Sequence, residues 1–276
     1  IQKGKQVSRG TLQTVFVYTP FDEVRRLGLR NESEIEVRKK FPNSVGMLVV
    51  SEVQRGSAAE NVLEPGDVLV RINGQLTADF SLLASTLDDN VGKTVKLAIE
   101  RGGQQFEREL PIQDLYEVMP DEFLEFGDAI VHNLSWQQAR HINVPIKGVY
   151  VANPGYILGA AGVPRGAVIS EAGGKDIGGL GDLEDVLAKL SDGERVTVRF
   201  FTIDDPKTAQ WRSVRMDRRW FPARVCKRDD KIGTWPCTPW GGNGEAKAPE
   251  PATTTFAKTS DPLINKLAPS LVLVNF

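Results

Sequence analysis

Apolar positions along this chain form short runs set off by Gly, Pro and Asn, and their period switches between two residues and three to four. Gly46–Val53 is a β-branched run of strand length, and the small residues of Arg55-Gly-Ser-Ala-Ala-Glu60 predict a tight turn into a short helix. In Leu63-Glu-Pro-Gly-Asp67, Pro presets φ and Gly permits the bend. This turn feeds a strand over Val68–Ile72, and Asn73-Gly74 is the strongest hairpin signal in the chain. Phe80, Leu83, Ala84 and Leu87 then fall at i, i+3, i+4 and i+7, one face of a helix that Asp79 can cap. Thr94–Glu100 alternates, Arg101-Gly-Gly103 turns, and Phe106–Ile112 returns as a second strand. The predicted order is strand, short helix, strand, helix, two strands.

The same order recurs about a hundred residues later. Gly148–Ala152 stands for the first strand, and Gly162–Ile169 stands where Leu63–Leu69 stood. Leu183, Val186, Leu187 and Leu190 repeat the helical stripe, while Gly193–Phe201 and Trp211–Met216 supply the closing strands. A repeat of this length means two copies of one fold and not a solenoid of ~20–50-residue units. From residue 222 Pro, Gly, Thr and Lys dominate, with Gly241-Gly-Asn-Gly244 and Pro249-Glu-Pro251 as flexible and stiff punctuation, and about 239–262 reads as a linker. Trp235 and Trp240 suit packing of this stretch back onto a domain. Leu271–Phe276 reads as the first strand of a further module.

Composition narrows the function classes. The 276 residues are 41% hydrophobic and 25% charged, with a net charge of −2. That balance supports a sizeable core and carries no electrostatic footprint for nucleic acid or an anionic membrane. No run reaches the ~18 apolar residues a membrane helix needs. The first ten residues are basic and polar, unlike a signal peptide, and the chain reads as a piece of something larger. Cys226 and Cys237 have no companion ligands at zinc spacing; two free thiols are expected, with a disulfide closing the Trp-rich loop as the alternative. No cofactor or metal is implied.

The stretch Ser51–Gly74, with Pro65-Gly-Asp-Val-Leu-Val-Arg-Ile-Asn-Gly74 and the Phe80–Leu87 helix, resembles the PDZ family. Arg9-Gly-Thr-Leu12 is similar to the loop that opens the circularly permuted PDZ domains of HtrA/Deg proteases. Pro20–Leu29, Leu134–Arg140 and Tyr150–Gly155 extend the resemblance to the large HtrA-like proteases of fungi and plants, which carry a duplicated protease half. The second copy departs from the pattern, since Gly166-Ala-Val-Ile169 lacks the Asp. The resemblance implies an α+β chain of two tandem PDZ-like domains, each a small, partly closed antiparallel sheet with two helices. The first domain covers 1–114 and the second, degenerate one 118–221, followed by a linker and the opening of a truncated module over 222–276.

PDZ recognition adds an extended peptide to a sheet edge and drops alternate side chains into a groove beside a helix. The family match places the peptide site at Arg9, Gly10, Thr11, Leu12, Gln13, Thr14, Phe16, Phe80, Leu83, Ala84 and Leu87. The amides of Gly10–Leu12 would receive a terminal carboxylate. Core packing alone could explain the helical stripe; loop, helix and turns together point to a groove. In the second copy, Phe126-Gly-Asp-Ala-Ile130 is the corresponding opening loop, and Asp128 is expected to repel a carboxylate there, with a solvent-facing turn residue as the alternative. The implied partners are peptide or unfolded-protein C-termini and the protease domains of the parent chain, with no nucleic acid and no membrane insertion. The family resemblance points to an intracellular compartment, nucleus or plastid.

The competing classes are an enzyme and a spacer. A serine protease needs Ser, His and Asp in a fixed constellation. Only His132 and His141 are present, without a Gly-x-Ser-x-Gly elbow or a Gly-Asn-Ser-Gly-Gly loop, so no catalytic residue is assigned to this chain. Asp88-Asp89 and Asp204-Asp205 read as solvated turn residues. A spacer whose grooves are filled by neighbouring segments stays open as an alternative.

Overall fold

The computed structural model describes residues 8–241 and 257–270, which belong to two compact units divided after residue 245. The readings of Gly242–Gly244, Pro249–Pro251 and Leu271–Phe276 lie outside the described residues. In the second unit a short helix over Pro262–Leu267 starts with Pro at its first position and is capped by Asp261, whose carboxylate accepts from the Leu263 and Ile264 amides.

The larger unit opens with β1 (Gly10–Thr11), β2 (Thr14–Pro20), α1 (Phe21–Leu27) and α2 (Asn31–Lys40). Next come β3 (Gly46–Val53), β4 (Val68–Ile72), β5 (Gln75–Leu76), α3 (Phe80–Asp88), β6 (Thr94–Arg101), β7 (Gln104–Pro111) and β8 (Gln113–Asp114). The first sheet runs β2-β3-β4-β6-β7, antiparallel throughout, with β5 folded back on β4 through Asn73-Gly74 and β1 paired with β8. The sheet is an open path and not the partly closed one expected. β3 is buried on both faces, which is why Met47–Val50 reads as a continuous apolar run. Leu48 and Val50 pack with Leu83 and Leu87 of α3; Met47 and Val49 pack with Phe21, Val24 and Val37 of α1 and α2.

Two local expectations need correction. Arg55–Glu60 forms consecutive turns in place of a short helix. Conversely, α2 was not announced by any apolar stripe, because one of its two buried residues is charged. Glu34 receives Arg25 Nε at 2.6 Å and Arg38 Nε at 2.8 Å, so an ion-pair network takes the place of hydrophobic periodicity.

The second half repeats the frame with β9 (Glu122–Phe126), β10 (Ala129–Asn133), α4 (Trp136–His141), β11 (Val149–Asn153), α5 (Gly155–Ala160) and β12 (Ala167–Ala172). β13 (Lys175–Asp176), α6 (Leu180–Leu187), β14 (Arg195–Thr202), β15 (Asp205–Arg215), β16 (Arg224–Lys227) and β17 (Cys237–Pro239) complete it. Among the described residues each half therefore carries three α-helices, one more than expected. The strand order is β15-β14-β12-β11-β10-β9-β16-β17, with β13 on β12. Five of these strands (β10, β11, β12, β14, β15) repeat β2, β3, β4, β6 and β7. The other three outer strands have no counterpart in the first sheet.

Two of the added strands come from the stretch expected to leave the domain. Cys226 and Cys237 face each other across β16 and β17 and form a disulfide, contrary to the expectation of free thiols. The register of the two strands puts the cysteines opposite one another, and their Cα atoms are 4.0 Å apart. Trp240 packs on the second core, edge-on to Phe126, and Trp235 lies against Phe123, as the aromatic-rich sequence suggested. His132 is half-buried against Tyr150 and His141 is exposed.

Candidate functional site

The first sheet ends in β2, and among the described residues no strand pairs with its outer edge. Beside that edge lies a groove of about 410 Å³. Ten of the eleven residues expected from the sequence line it: Arg9, Gly10, Thr11, Leu12, Thr14 and Phe16 on one side, Phe80, Leu83, Ala84 and Leu87 on the other. Leu83 and Leu87 form its buried floor, and Phe80 stands at the rim with 48% of its surface exposed. Asp79 fixes the start of the helical wall by accepting from the Ser81 and Leu82 amides.

Gln13 is the residue that does not line the groove. Its side chain turns to Gln113 and is buried, while its backbone adopts φ of 53° and bends the chain from β1 into β2. Gly10 is required by contact: a Cβ there would lie 2.1 Å from the carbonyl oxygen of Leu87. The loop thus presses against the C-terminal end of α3.

That contact brings in a residue the sequence reading set aside. Asp88, taken as a solvated turn residue, ends α3 and accepts from the Gly10 amide at 2.9 Å and from Arg9 at 2.8 Å. The Gln13 amide donates to Thr11 Oγ1 at 2.9 Å. Two amides of the loop therefore already have acceptors. Val15, within the expected pairing strand Leu12–Phe16, also lines the groove, as do Leu115, Trp136 and Arg140, which were not anticipated. The last two belong to the second half, and no local pattern could have placed them here.

Residues 20–100 match the PDZ domain family and residues 117–193 the PDZ-like domain family. Over 240 residues the chain is 45% identical to Protease Do-like 7 of Arabidopsis thaliana, covering 86% of this chain and 22% of the relative. It is 37% identical over 243 residues to the pro-apoptotic serine protease NMA111 of Phaeosphaeria nodorum, covering 87% of this chain and 24% of the relative. This chain is a tandem PDZ region of the HtrA-like protease family. It spans about a quarter of the length of these relatives. A solved structure, the HtrA-type protease AlgW with decapeptide, matches 41% of this chain and 31% of its own at 22% identity and a TM-score of 0.32.

In the second PDZ domain, the segment taken for a carboxylate-binding loop is a hairpin. Gly127 and Asp128, with φ of 53° and 65°, form a two-residue turn that folds β9 back onto β10, and Asp128 points to solvent. Both φ values are positive, the geometry that matches strand twist in tight hairpins. β9 adds to the edge of β10 that corresponds to the open edge of β2. Its Leu124 and Phe126 are buried in one cluster with Leu183 and Leu187 of α6. The strand thus fills the place a peptide takes in a PDZ groove. The signal was legible: Gly-Asp flanked by alternating Leu124, Phe126, Ala129 and Val131 is hairpin chemistry.

Two more features seal this side. Arg218 donates to the Leu187 and Leu190 carbonyls at 2.9 Å each and pairs with Asp192 at 3.0 Å, holding the C-terminal end of α6. Burial pushes the Glu184 carboxyl up from its ordinary range, with help from the charges of Glu122 on β9 and Asp185.

Proposed function

We infer that the first PDZ domain is the receptor of this region and binds extended peptide segments by strand addition along β2, while the second serves as a fixed, non-receptive partner. The region is a protein-interaction module of an HtrA-like protease; peptide capture next to a protease would deliver or tether substrates to catalytic halves outside this chain. The observation that carries the reading is the open β2 edge beside an apolar groove, set against a β10 edge already covered by β9.

Strand addition supplies main-chain hydrogen bonds, and the groove takes alternate side chains into the space between Leu12, Phe80, Leu83 and Leu87. Apolar side chains suit it. Affinity on the order of micromolar follows from one strand and one groove, less than a standard interface. The loop amides favour internal segments over free C-termini, because Asp88 occupies the Gly10 amide with a carboxylate of its own. A second carboxylate about 4 Å away costs roughly 1 kcal/mol even in water.

In the second domain a peptide must first displace Leu124 and Phe126. Burial of each is worth about 1.5–3 kcal/mol. Losing both weakens binding by a factor of about 10²–10⁴, beyond a micromolar site's useful range.

The test is chemical-shift mapping of the full chain with a decapeptide of alternating apolar residues, free and amidated at its C-terminus. Shifts should concentrate at Thr14–Phe16 and Phe80–Leu87, and the amidated peptide should bind about three- to tenfold more tightly than the free acid. Shifts centred on Leu124–Val131 and Leu183–Leu187 would place the receptor in the wrong domain.

A further inference from the structure

The first domain does not close its own groove. Trp136 and Arg140 on α4 of the second domain also line it. They stand at i and i+4, so both project from one face of that helix. A capping box fixes where the helix begins: Ser135 Oγ accepts from the Gln138 amide, and Gln138 Oε1 accepts from the Ser135 amide. The segment after α4 is anchored on the first domain, where the buried Gln54 donates its side-chain amide to the Val144 carbonyl and Gly56 lies against Pro145.

Arg140 is held in place without being neutralised. Its guanidinium carbon lies 5.2 Å from the centre of the Trp136 ring, within cation–π range. Among the described residues its one ionic neighbour is Glu52, 3.8 Å away, with both side chains substantially exposed. Such a pair is weak and leaves the charge open to a competitor. Among the charged residues lining the groove, Arg9 and Asp88 satisfy each other at 2.8 Å, so Arg140 is the cation without a lining counter-charge.

We propose that Arg140, braced on Trp136, reads an acidic side chain of the peptide bound in the first domain's groove, so that the second domain supplies part of the first domain's receptor. The inference rests on the groove reading above. A side chain is favoured over a terminal carboxylate by position. Glu52 is in register with Val15, inside β2 and past the loop, so Arg140 stands beside the body of the strand. The loop's own amides at Gly10 and Gln13 are engaged elsewhere.

The experiment uses the full chain and acetylated, amidated decapeptides of alternating apolar residues, with Glu, Gln or Lys scanned through the internal positions. Blocked ends remove terminal charge. At one position Glu should bind about two- to fivefold more tightly than Gln, and Lys more weakly than Gln. The advantage should shrink as salt rises from about 0.1 to 1 M. Arg140→Gln should abolish the Glu preference, so that the Glu and Gln peptides bind alike, and Arg140→Glu should invert it in favour of Lys. Equal binding of Glu and Gln peptides at every position, or a Glu preference that survives Arg140→Gln, overturns the proposal and leaves the groove reading standing. Shift mapping that shows no binding at β2 and α3 overturns both. A free-acid Gln peptide whose extra affinity depends on Arg140 would assign the arginine to the terminus and overturn the side-chain reading.

Discussion

The two PDZ domains share a frame and differ at one edge. In the first, the chain before β2 bends once, at Gln13, and leaves to pair with β8. In the second, the chain before β10 turns through two residues with positive φ and comes straight back as β9. A turn with two left-handed residues goes with a covered edge, and a bend with one goes with an open edge. The ends of the groove helices differ in the same sense. α3 ends in Asp88, exposed enough to meet the loop and a ligand, whereas α6 ends under a buried arginine. On the function proposed above, a PDZ frame acts as receptor or scaffold according to what the segment before its edge strand does.

The sharpest way to break this comparison is to remove the strand that fills the second groove. Phe126→Ala should cost the second domain about 3–5 kcal/mol, the usual range for deleting a buried aromatic. All five tryptophans follow residue 118, so tryptophan fluorescence during urea unfolding reports on this half. A loss under about 1 kcal/mol would mean that Phe126 is not core. In the first domain the matching test is Gly10→Ala, whose Cβ collides with the backbone at Leu87; overpacking of this kind costs about 1–3 kcal/mol. Peptide binding should fall with it while the tryptophan-detected transition stays put.

A gentler change sharpens the account of the anion end. Asp88→Asn keeps an acceptor for the Gly10 amide and removes the charge. Free-acid peptides should then gain about three- to tenfold in affinity, and amidated ones should not change. Calorimetry with both forms reads the difference, and equal gains would show that the charge was not what opposed the terminus.

The smallest effect is a pH response of opposite sign in the two domains. Hydrogen bonds from Arg25, aided by Arg38 and opposed by burial, hold Glu34 below its ordinary value near 4.5. A depressed folded-state pKa gives stability that is present above the unfolded value and is lost as pH falls through the folded one, so the first domain weakens below about pH 4.5. Glu184 is raised, chiefly by burial. Its ionised form is the less favourable in the fold, so the second domain gains stability as pH falls from neutrality toward 4.5. Glu184→Gln should remove that slope and raise second-domain stability at pH 7 by less than about 1 kcal/mol. A slope unchanged in the variant would exclude Glu184 as its origin.

Legibility followed range. The first groove was readable because its parts have local chemistry: Asp79 before an amphipathic stripe, Asn73-Gly74 at positive φ, and an opening loop with Gly10. Helix α2 escaped notice because it buries a carboxylate among arginines, which no hydrophobic period reveals. Asp88 looked like a turn residue until the approach of Gly10 to Leu87 showed what it holds.

The sequence by itself determined the two copies of the frame, the turns, the stripes and the residues along one wall of the first groove, since each depends on neighbours within a few positions. It also contained the hairpin at Gly127-Asp128. Only the tertiary structure decided that β9 fills the second groove, that Cys226 meets Cys237, and that Arg140 stands over a groove belonging to the other domain. The physical reason is distance along the chain. Arg140 lies 88 residues from Glu52, and whether two such groups meet depends on how two finished domains dock, which no local propensity encodes.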